Sequence, residues 1–507
     1  MSEPEAEPPG PDLAKGVAAE DVAEGAMLVG HVGEAAVLVA RVGGKLSAIG
    51  AECTHYHGPL GDGLLVGETV RCPWHHARFC LRTGEAIGAP AIDPVDCWRV
   101  EERDGRVYVR EKAEAPTKAR APSRGGAVPR RIVVVGGGAA GFAAAEMLRR
   151  EGYDGDLTMV SADVDPPYDR PNCSKDYLAG KAPGEWMPLR DAAFYERSGI
   201  DLRTGAEVGA LDLQARSVTL ADGGRLPFDA LILATGAEPI RPPIPGFSQA
   251  NVHVLRSMAD SEAIIREAQP GRRVAVVGAS FIGLEAAAAM VDRGLEVHVI
   301  APEATPLAKI LGEELGRFIR SVHEGKGVTF HLGRSVAGFA DGRVALDDGS
   351  AVAADFVVAG MGVRPRTDLA GAAGLAVDRG VVVDARLQTS VAGVYAVGDM
   401  ARYPDHRTGE LIRVEHWVAA ERQGQHAARA VLGLADAFRD TPFFWSAHYD
   451  TTINYVGHAE AFDTAEIEGS IADGSATVRL AKGGVLLAAA TLGRDLESLK
   501  IGVGLEA

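Results

Sequence analysis

Twice in this chain a run of β-branched residues breaks into glycine and then into an alanine-rich helical pattern. The first copy runs from Arg131 as RIVVV, GGGAAG and FAAAEMLRREG. The second runs from Val274 as VAVVG, ASFIG and LEAAAAMVDRG, followed by the apolar LEVHVI. A strand that turns on glycine directly into a helix must return to its sheet by a parallel crossover. Two such openings therefore predict two doubly wound nucleotide-binding domains. In the first, Gly136-x-Gly138-x-x-Gly141 lets a pyrophosphate approach the helix N-terminus. Asp163, just after the strand LTMVS, is the candidate ribose carboxylate, with an acid serving only its own turn as the alternative. In the second copy, Gly278-Ala279-Ser280-Phe281-Ile282-Gly283, serine takes the middle place, a weaker match but small enough for a phosphate-contacting turn. Glu303 follows the next strand, yet Pro302 precedes it and Ala301 holds the strand end, so its ribose contact stays open. No Arg or Lys lies between Arg293 and Lys309 to hold a 2′-phosphate, which favours NADH over NADPH.

Nearer the start stand Cys53-Thr54-His55 and Cys72-Pro73-Trp74-His75, each supplying one thiolate and one imidazole. A [2Fe–2S] centre with two Cys on one iron and two His on the other needs this donor set, and exchanging thiolates for neutral imidazoles raises its potential. Zinc also accepts two Cys and two His, but zinc fingers pair like with like, whereas each string here mixes the two. His57 and His76, beside the ligands, are expected on the surface. Cys80 and Cys97 are expected as small buried hydrophobes.

The 507 residues are 47% apolar and 24% charged, a soluble globular composition with room for three or four domains. A net charge of −17 disfavours nucleic acid and anionic membrane as partners. No run is long and apolar enough for a membrane span, and the start MSEPEAEPPGPD has no targeting character. Five cysteines make no disulfide framework, and the expected compartment is the reducing cytoplasm.

The expected organisation is multidomain. A disordered tail (1–12) precedes an all-β cluster domain (13–111) with the ligand strings in its loops. A Pro/Ala/Gly-rich linker follows (112–130). Two α/β doubly wound domains come next: an FAD-binding domain in two parts (131–250 and 369–436) around an NAD-binding domain (251–368). A small α+β domain (437–507) closes the chain.

Residues 13–111, through CPWHHARF and LRTGE, resemble Rieske-type ferredoxins of the soluble branch. The resemblance implies that Cys53 and Cys72 bind one iron and His55 and His75 the other, near the surface. High-potential Rieske domains add a disulfide between the ligand loops and hydroxyls bonding toward cluster sulfur. This chain has no cysteine beside either histidine, and Ala77-Arg78-Phe79 carries no hydroxyl. The expected potential is therefore at the low end, about −150 mV.

Residues 131–507 resemble the FAD-dependent, NADH-oxidising ferredoxin reductases of oxygenase systems, and equally the apoptosis-inducing-factor-like proteins. PPYDRPNCSK (Pro166–Lys175), VAGMGVRP and PFFW carry the likeness. It implies that Lys175 reaches flavin N5 and is ion-paired with Glu285. Arg170, Gly236 of the ATG string, Gly362, Asp399 of VGD and Trp417, after His416, would line the FAD site. Cys173 departs from the usual Leu and is expected to pack as a small apolar group, with Trp445 in the core of the last domain. Electrons would run from NADH to FAD, to the chain's own cluster, and on to an external acceptor such as an oxygenase or another redox protein. The alternative is a redox-responsive interaction protein. A disulfide reductase is excluded by the lack of a cysteine pair, and a self-contained oxygenase by the lack of a domain for mononuclear iron.

Overall fold

The computed structural model describes residues 10–113 and 128–507, so most of the expected tail and linker lie outside the described residues. The tail's last residues are ordered, with Asp12 bridged to His31 and the Pro11 carbonyl accepting from the His31 N–H at 3.0 Å. Contacts group the chain into two units, one of residues 1–120 with Arg494–Ala507 and one of 121–493. Among the described residues no helix is long and apolar enough to cross a membrane.

The first unit is built on a six-stranded antiparallel sheet in the order Val17–Ala18, Arg106–Ala113, Cys97–Arg103, Lys45–Gly50, Ala35–Val42 and Met27–Val32. The alternating sequence of Ala35–Val42 explains its central place. Leu38 and Ala40 face a core with Ile49, Cys53, Cys72 and Phe79. Val37 and Val39 point the other way, toward Val107 and Val109. A second sheet, Leu64–Val66, Thr69–Arg71, Arg78–Cys80 and Ala86–Gly88, carries the second ligand string in one of its loops. The C-terminal helix Asp495–Glu506 belongs to this unit, although the sequence places it with the last domain. The Glu506 carboxylate accepts two hydrogen bonds from Arg71, at 2.9 and 2.7 Å, and one from Arg78 at 2.7 Å. Such bidentate, charge-assisted bonds fix geometry as well as adding stability.

The second unit is built on two five-stranded parallel sheets and a five-stranded antiparallel one, with four smaller sheets of two or three strands beside them. The first runs Ile200–Arg203, Asp156–Val160, β1 (Arg131–Val135), Ala230–Leu233 and Val394–Ala396. The last strand comes from far along the chain, so two stretches of sequence build this sheet. Helix α1 (Ala139–Arg150) follows β1. The second sheet runs Val252–Val254, Phe356–Ala359, β2 (Arg273–Val277), β3 (Glu296–Ala301) and Thr329–Leu332, with α2 (Phe281–Asp292) after β2 and α3 (Glu313–Gly325) after β3. Strands such as Ile132–Val135 and Val274–Val277 are buried residue after residue, as parallel strands covered on both faces must be.

Helix α4 (Trp417–Val431) packs against α1. It is followed by β4 (Phe443–His448), the edge strand of a five-stranded antiparallel sheet with Thr451–Gly457, Val485–Leu492, Ser475–Lys482 and Thr464–Ser470. β4 lies against α2, α3 and α4.

Candidate redox sites

In the first unit the ligand strings fall in loops, one after Lys45–Gly50 and one between Thr69–Arg71 and Arg78–Cys80. His55 Nδ1 and His75 Nδ1 face each other at 3.2 Å, with ring planes 85° apart. Cys53 and Cys72 are buried and share a hydrogen bond. That bond, with burial, pushes the Cys53 thiol up, while the same bond holds Cys72 down. Burial lowers His55 to about 4, so its imidazole is neutral, the form that binds a metal. The donors thus form a sulfur pair and a nitrogen pair. Among the described residues no three His, Cys, Asp or Glu gather about one point. A sulfur pair beside a nitrogen pair fits two irons held by unlike pairs.

Around the histidine edge, Tyr56 stacks on His55 with centroids 4.0 Å apart, and Tyr56 and Trp74 are exposed. The Thr54 hydroxyl donates to the Asp93 carbonyl at 2.7 Å and so does not point at cluster sulfur. His57 is exposed as expected. His76 corrects the sequence reading. It is buried, although His57 holds the matching place in the first loop with nearly the same φ, 57° against 60°, and the same backbone bond to its cysteine carbonyl. Tertiary surroundings and not backbone conformation separate the two. Cys97 is buried and Cys80 partly so.

In the second unit a cleft of about 1990 Å³ runs along the C-terminal ends of the parallel strands. It exceeds the roughly 300–1,000 Å³ of an ordinary small-molecule pocket. Gly136 and Gly138 line it, and α1 begins there without a side-chain cap, so its first N–H groups are available to an anion. Gly141 serves the packing instead: a Cβ there would lie 1.9 Å from the Gly136 carbonyl oxygen. Gly283 repeats this beneath Gly278, at 2.2 Å. Ser280 explains the imperfect second motif. Its hydroxyl accepts from the Gly283 N–H at 3.3 Å and donates to the Gly360 carbonyl at 3.1 Å, so the side chain caps α2 itself.

Asp163, Arg170, Lys175, Gly236, Gly362, Asp399 and Trp417 all line the cleft. Asp163 accepts from the Tyr168 hydroxyl at 3.0 Å. Arg170 lies over the Tyr168 ring and donates to the Arg256 carbonyl at 2.6 Å. The Asp399 carboxylate is buried and pairs with Arg256 at 2.5 Å. Glu303 is not among the cleft-lining residues, and neither are Gly141, Gly278 and Gly283.

The strongest feature of the cleft is the ion pair expected from the sequence. Lys175 Nζ lies 2.9 Å from Glu285 Oε2, with the two side chains 15% and 2% exposed. A carboxylate buried this deeply needs all its oxygens satisfied. Ser174 Oγ donates to Oε2 at 2.6 Å, and Ser446 Oγ to Oε1 at 2.7 Å. Trp445 corrects another reading: it lines the cleft with Lys175 Nζ over its ring at 5.7 Å. Phe444, its neighbour on the other face of β4, lines the cleft as well, so this strand forms part of the cleft wall. Cys173 is buried among apolar side chains, and burial pushes its thiol up to about 12. Ser174 stands inside the PPYDRPNCSK string with no role assigned from the sequence, and Arg256 and Ser446 carry no motif.

The family model of the Rieske [2Fe-2S] domain matches residues 14–99, and that of the pyridine nucleotide-disulphide oxidoreductases matches residues 130–424. The chain belongs to the pyridine nucleotide-disulphide oxidoreductase family and carries a Rieske [2Fe-2S] domain. Apoptosis-inducing factor 3 of Homo sapiens is 32% identical over 493 residues, covering 94% of this chain and 81% of its own. The anthranilate 1,2-dioxygenase system ferredoxin–NAD(+) reductase component of Burkholderia cepacia is 38% identical over 72% of this chain and 92% of its own. Among solved structures, the covalent putidaredoxin reductase–putidaredoxin complex aligns with a TM-score of 0.72 at 32% identity, covering 74% of this chain and 93% of that one. This family member is an FAD-dependent NAD(P)H oxidoreductase with an iron–sulfur centre. Cys173 is the sole cysteine after Cys97, so it holds no dithiol at the flavin.

Proposed function

We propose that the protein passes electrons from NADH to FAD, from FAD to its own Rieske cluster, and from the cluster to an external redox protein in the cytoplasm. The observation that carries this reading is the Lys175–Glu285 pair at the cleft wall, in a chain that also holds two thiols and two facing imidazoles on its cluster unit. Bound FAD would supply the exchange between a two-electron donor and a one-electron outlet. Gly136, Gly138 and the uncapped start of α1 would hold its pyrophosphate, Asp163 its ribose and Asp399 its ribityl chain. Lys175 places a positive charge where negative charge develops, and Glu285 holds that charge in place. Trp417 and Trp445 shield the same region from water. Ser280 and the neighbouring cleft wall would receive the nicotinamide nucleotide, with NADH preferred over NADPH. The edge of His55 and His75, flanked by exposed Tyr56 and Trp74, is the exit, and the lack of hydroxyl donors keeps the cluster at the low end of its range, about −150 mV. Joining donor and cluster in one chain raises their effective concentration without new contacts.

A second reading, a redox-responsive interaction protein, is favoured by the match to apoptosis-inducing factor 3 across both units. The two separate on steady-state reduction of cytochrome c by NADH. The electron-transfer reading expects turnover that vanishes when FAD is removed and returns on reconstitution. Turnover indifferent to FAD, or absent from holoprotein, would overturn it.

A further inference from the structure

Behind the Lys175–Glu285 pair an unbroken line of hydrogen-bonding groups leads away from the cleft. Ser446 Oγ lies 3.2 Å from His448 Nε2, and His448 Nδ1 lies 3.0 Å from His323 Nε2. His323 Nδ1 in turn lies 3.4 Å from the Tyr449 hydroxyl. Ser446, His448 and His323 are fully buried on β4 and α3, while Tyr449 is part-exposed beside exposed Asp450, with Lys326 Nζ over its ring at 5.3 Å. Buried neutral imidazoles each offer one donor and one acceptor, and burial holds both His448 and His323 down at about 3.

The polarity of the line follows from its inner end. Glu285 Oε1 can only accept, so Ser446 donates to it. Ser446 then accepts from His448 Nε2–H, His448 Nδ1 accepts from His323 Nε2–H, and His323 Nδ1 accepts from Tyr449. One tautomer assignment satisfies every link. The outer end of the line is Tyr449, which is part-exposed, so a proton can be exchanged there with solvent.

We propose that Tyr449, His323, His448 and Ser446 form a proton relay that loads Glu285 with one solvent proton when the flavin is reduced and unloads it when the flavin is reoxidised. The inward shift moves one proton per link and leaves Tyr449 to be reprotonated by water. It also reverses the line, so that the next shift runs outward. Loading Glu285 removes the negative charge beside Lys175, leaving the ammonium to balance the charge that arrives with the hydride. The balance closes. FAD, NADH, ionised Glu285 and one solvent proton give anionic reduced flavin, NAD⁺ and protonated Glu285. When two electrons leave singly, Glu285 and the flavin each release a proton. The sum is NADH giving NAD⁺, one proton and two electrons. The charged groups facing the relay are Lys175 and Glu285 at one end and Lys326, Asp292 and Asp450 at the other.

The relay rests on FAD occupying the cleft as proposed above, so the test delivers electrons without NADH. Anaerobic holoprotein is photoreduced at mildly alkaline pH with a pH indicator present, and protons taken up are counted against flavin bleaching. Wild type should take up two protons per two electrons and Glu285→Gln one. In Tyr449→Phe and His448→Phe the second proton should lag flavin reduction by about 10²-fold, the scale of positioned acid–base groups. Tyr449→Phe loses only a hydroxyl at the solvent end and keeps the fold intact should His448→Phe disturb it. One proton in wild type, or undelayed uptake in Tyr449→Phe, would overturn the relay. Failure of NADH alone to bleach a flavin that shows normal photoreductive uptake would count against the NADH reading and leave the relay standing.

Discussion

Replacing Cys72 by serine should lower NADH-driven reduction of cytochrome c by more than about 10²-fold, because outer-shell partners of a metal centre alone are worth about 10- to 100-fold. Flavin bleaching by NADH should keep its parent rate. Cys72 is buried against Cys53 in the core of the first unit, so a serine hydroxyl fits the space but cannot supply the soft thiolate that iron needs. The two readouts separate the sites: one follows electrons out of the protein, the other follows them only as far as the cleft. His57→Ala, at an exposed histidine beside the same loop, should change neither. Unaltered acceptor reduction in Cys72→Ser would mean that electrons leave from the flavin directly.

Lys175→Met should slow flavin reduction by NADH by about 10²-fold, the scale on which a misplaced group in a reacting site is felt. Stopped-flow bleaching of the flavin checks this. The same change leaves the Glu285 carboxylate, 2% exposed, without its ion-pair partner. Breaking a buried pair costs about 3–5 kcal/mol, reduced here because Ser174 and Ser446 still donate to both carboxylate oxygens. The double variant Lys175→Met, Glu285→Gln should recover most of the lost thermal stability and none of the lost rate. A double variant that regained the rate, or a single variant that never lost it, would remove Lys175 from the chemistry.

The sequence made legible those features in which a short string has to perform local chemistry. Glycine at a strand-to-helix turn announced both nucleotide domains, since Gly141 and Gly283 stand where a Cβ would collide with the carbonyl beneath. The cluster ligands were readable because two thiols and two imidazoles were mixed within each string. Lys175 and Glu285 were readable through the resemblance alone, for they stand far apart in sequence and only the packing of α2 against the segment after Pro166 joins them.

What stayed hidden depends on tertiary environment. His76 is buried while His57, with nearly the same positive φ in the matching loop, is exposed, and Trp445 lines the cleft from a strand that reads as core of the last domain. The partners of Glu285 come from two other segments, and no spacing rule links Ser446 to His323. The C-terminal helix reads as one more element of the last domain, yet Glu506 answers Arg71 and Arg78 on the cluster unit.

The most direct test of the central claim is the EPR spectrum of the anaerobic protein after reduction with NADH, set against the spectrum after dithionite. The account predicts the Rieske signal in both samples, with NADH reaching the cluster only through bound FAD. A signal that dithionite produces and NADH does not, in protein whose flavin NADH has bleached, would contradict it.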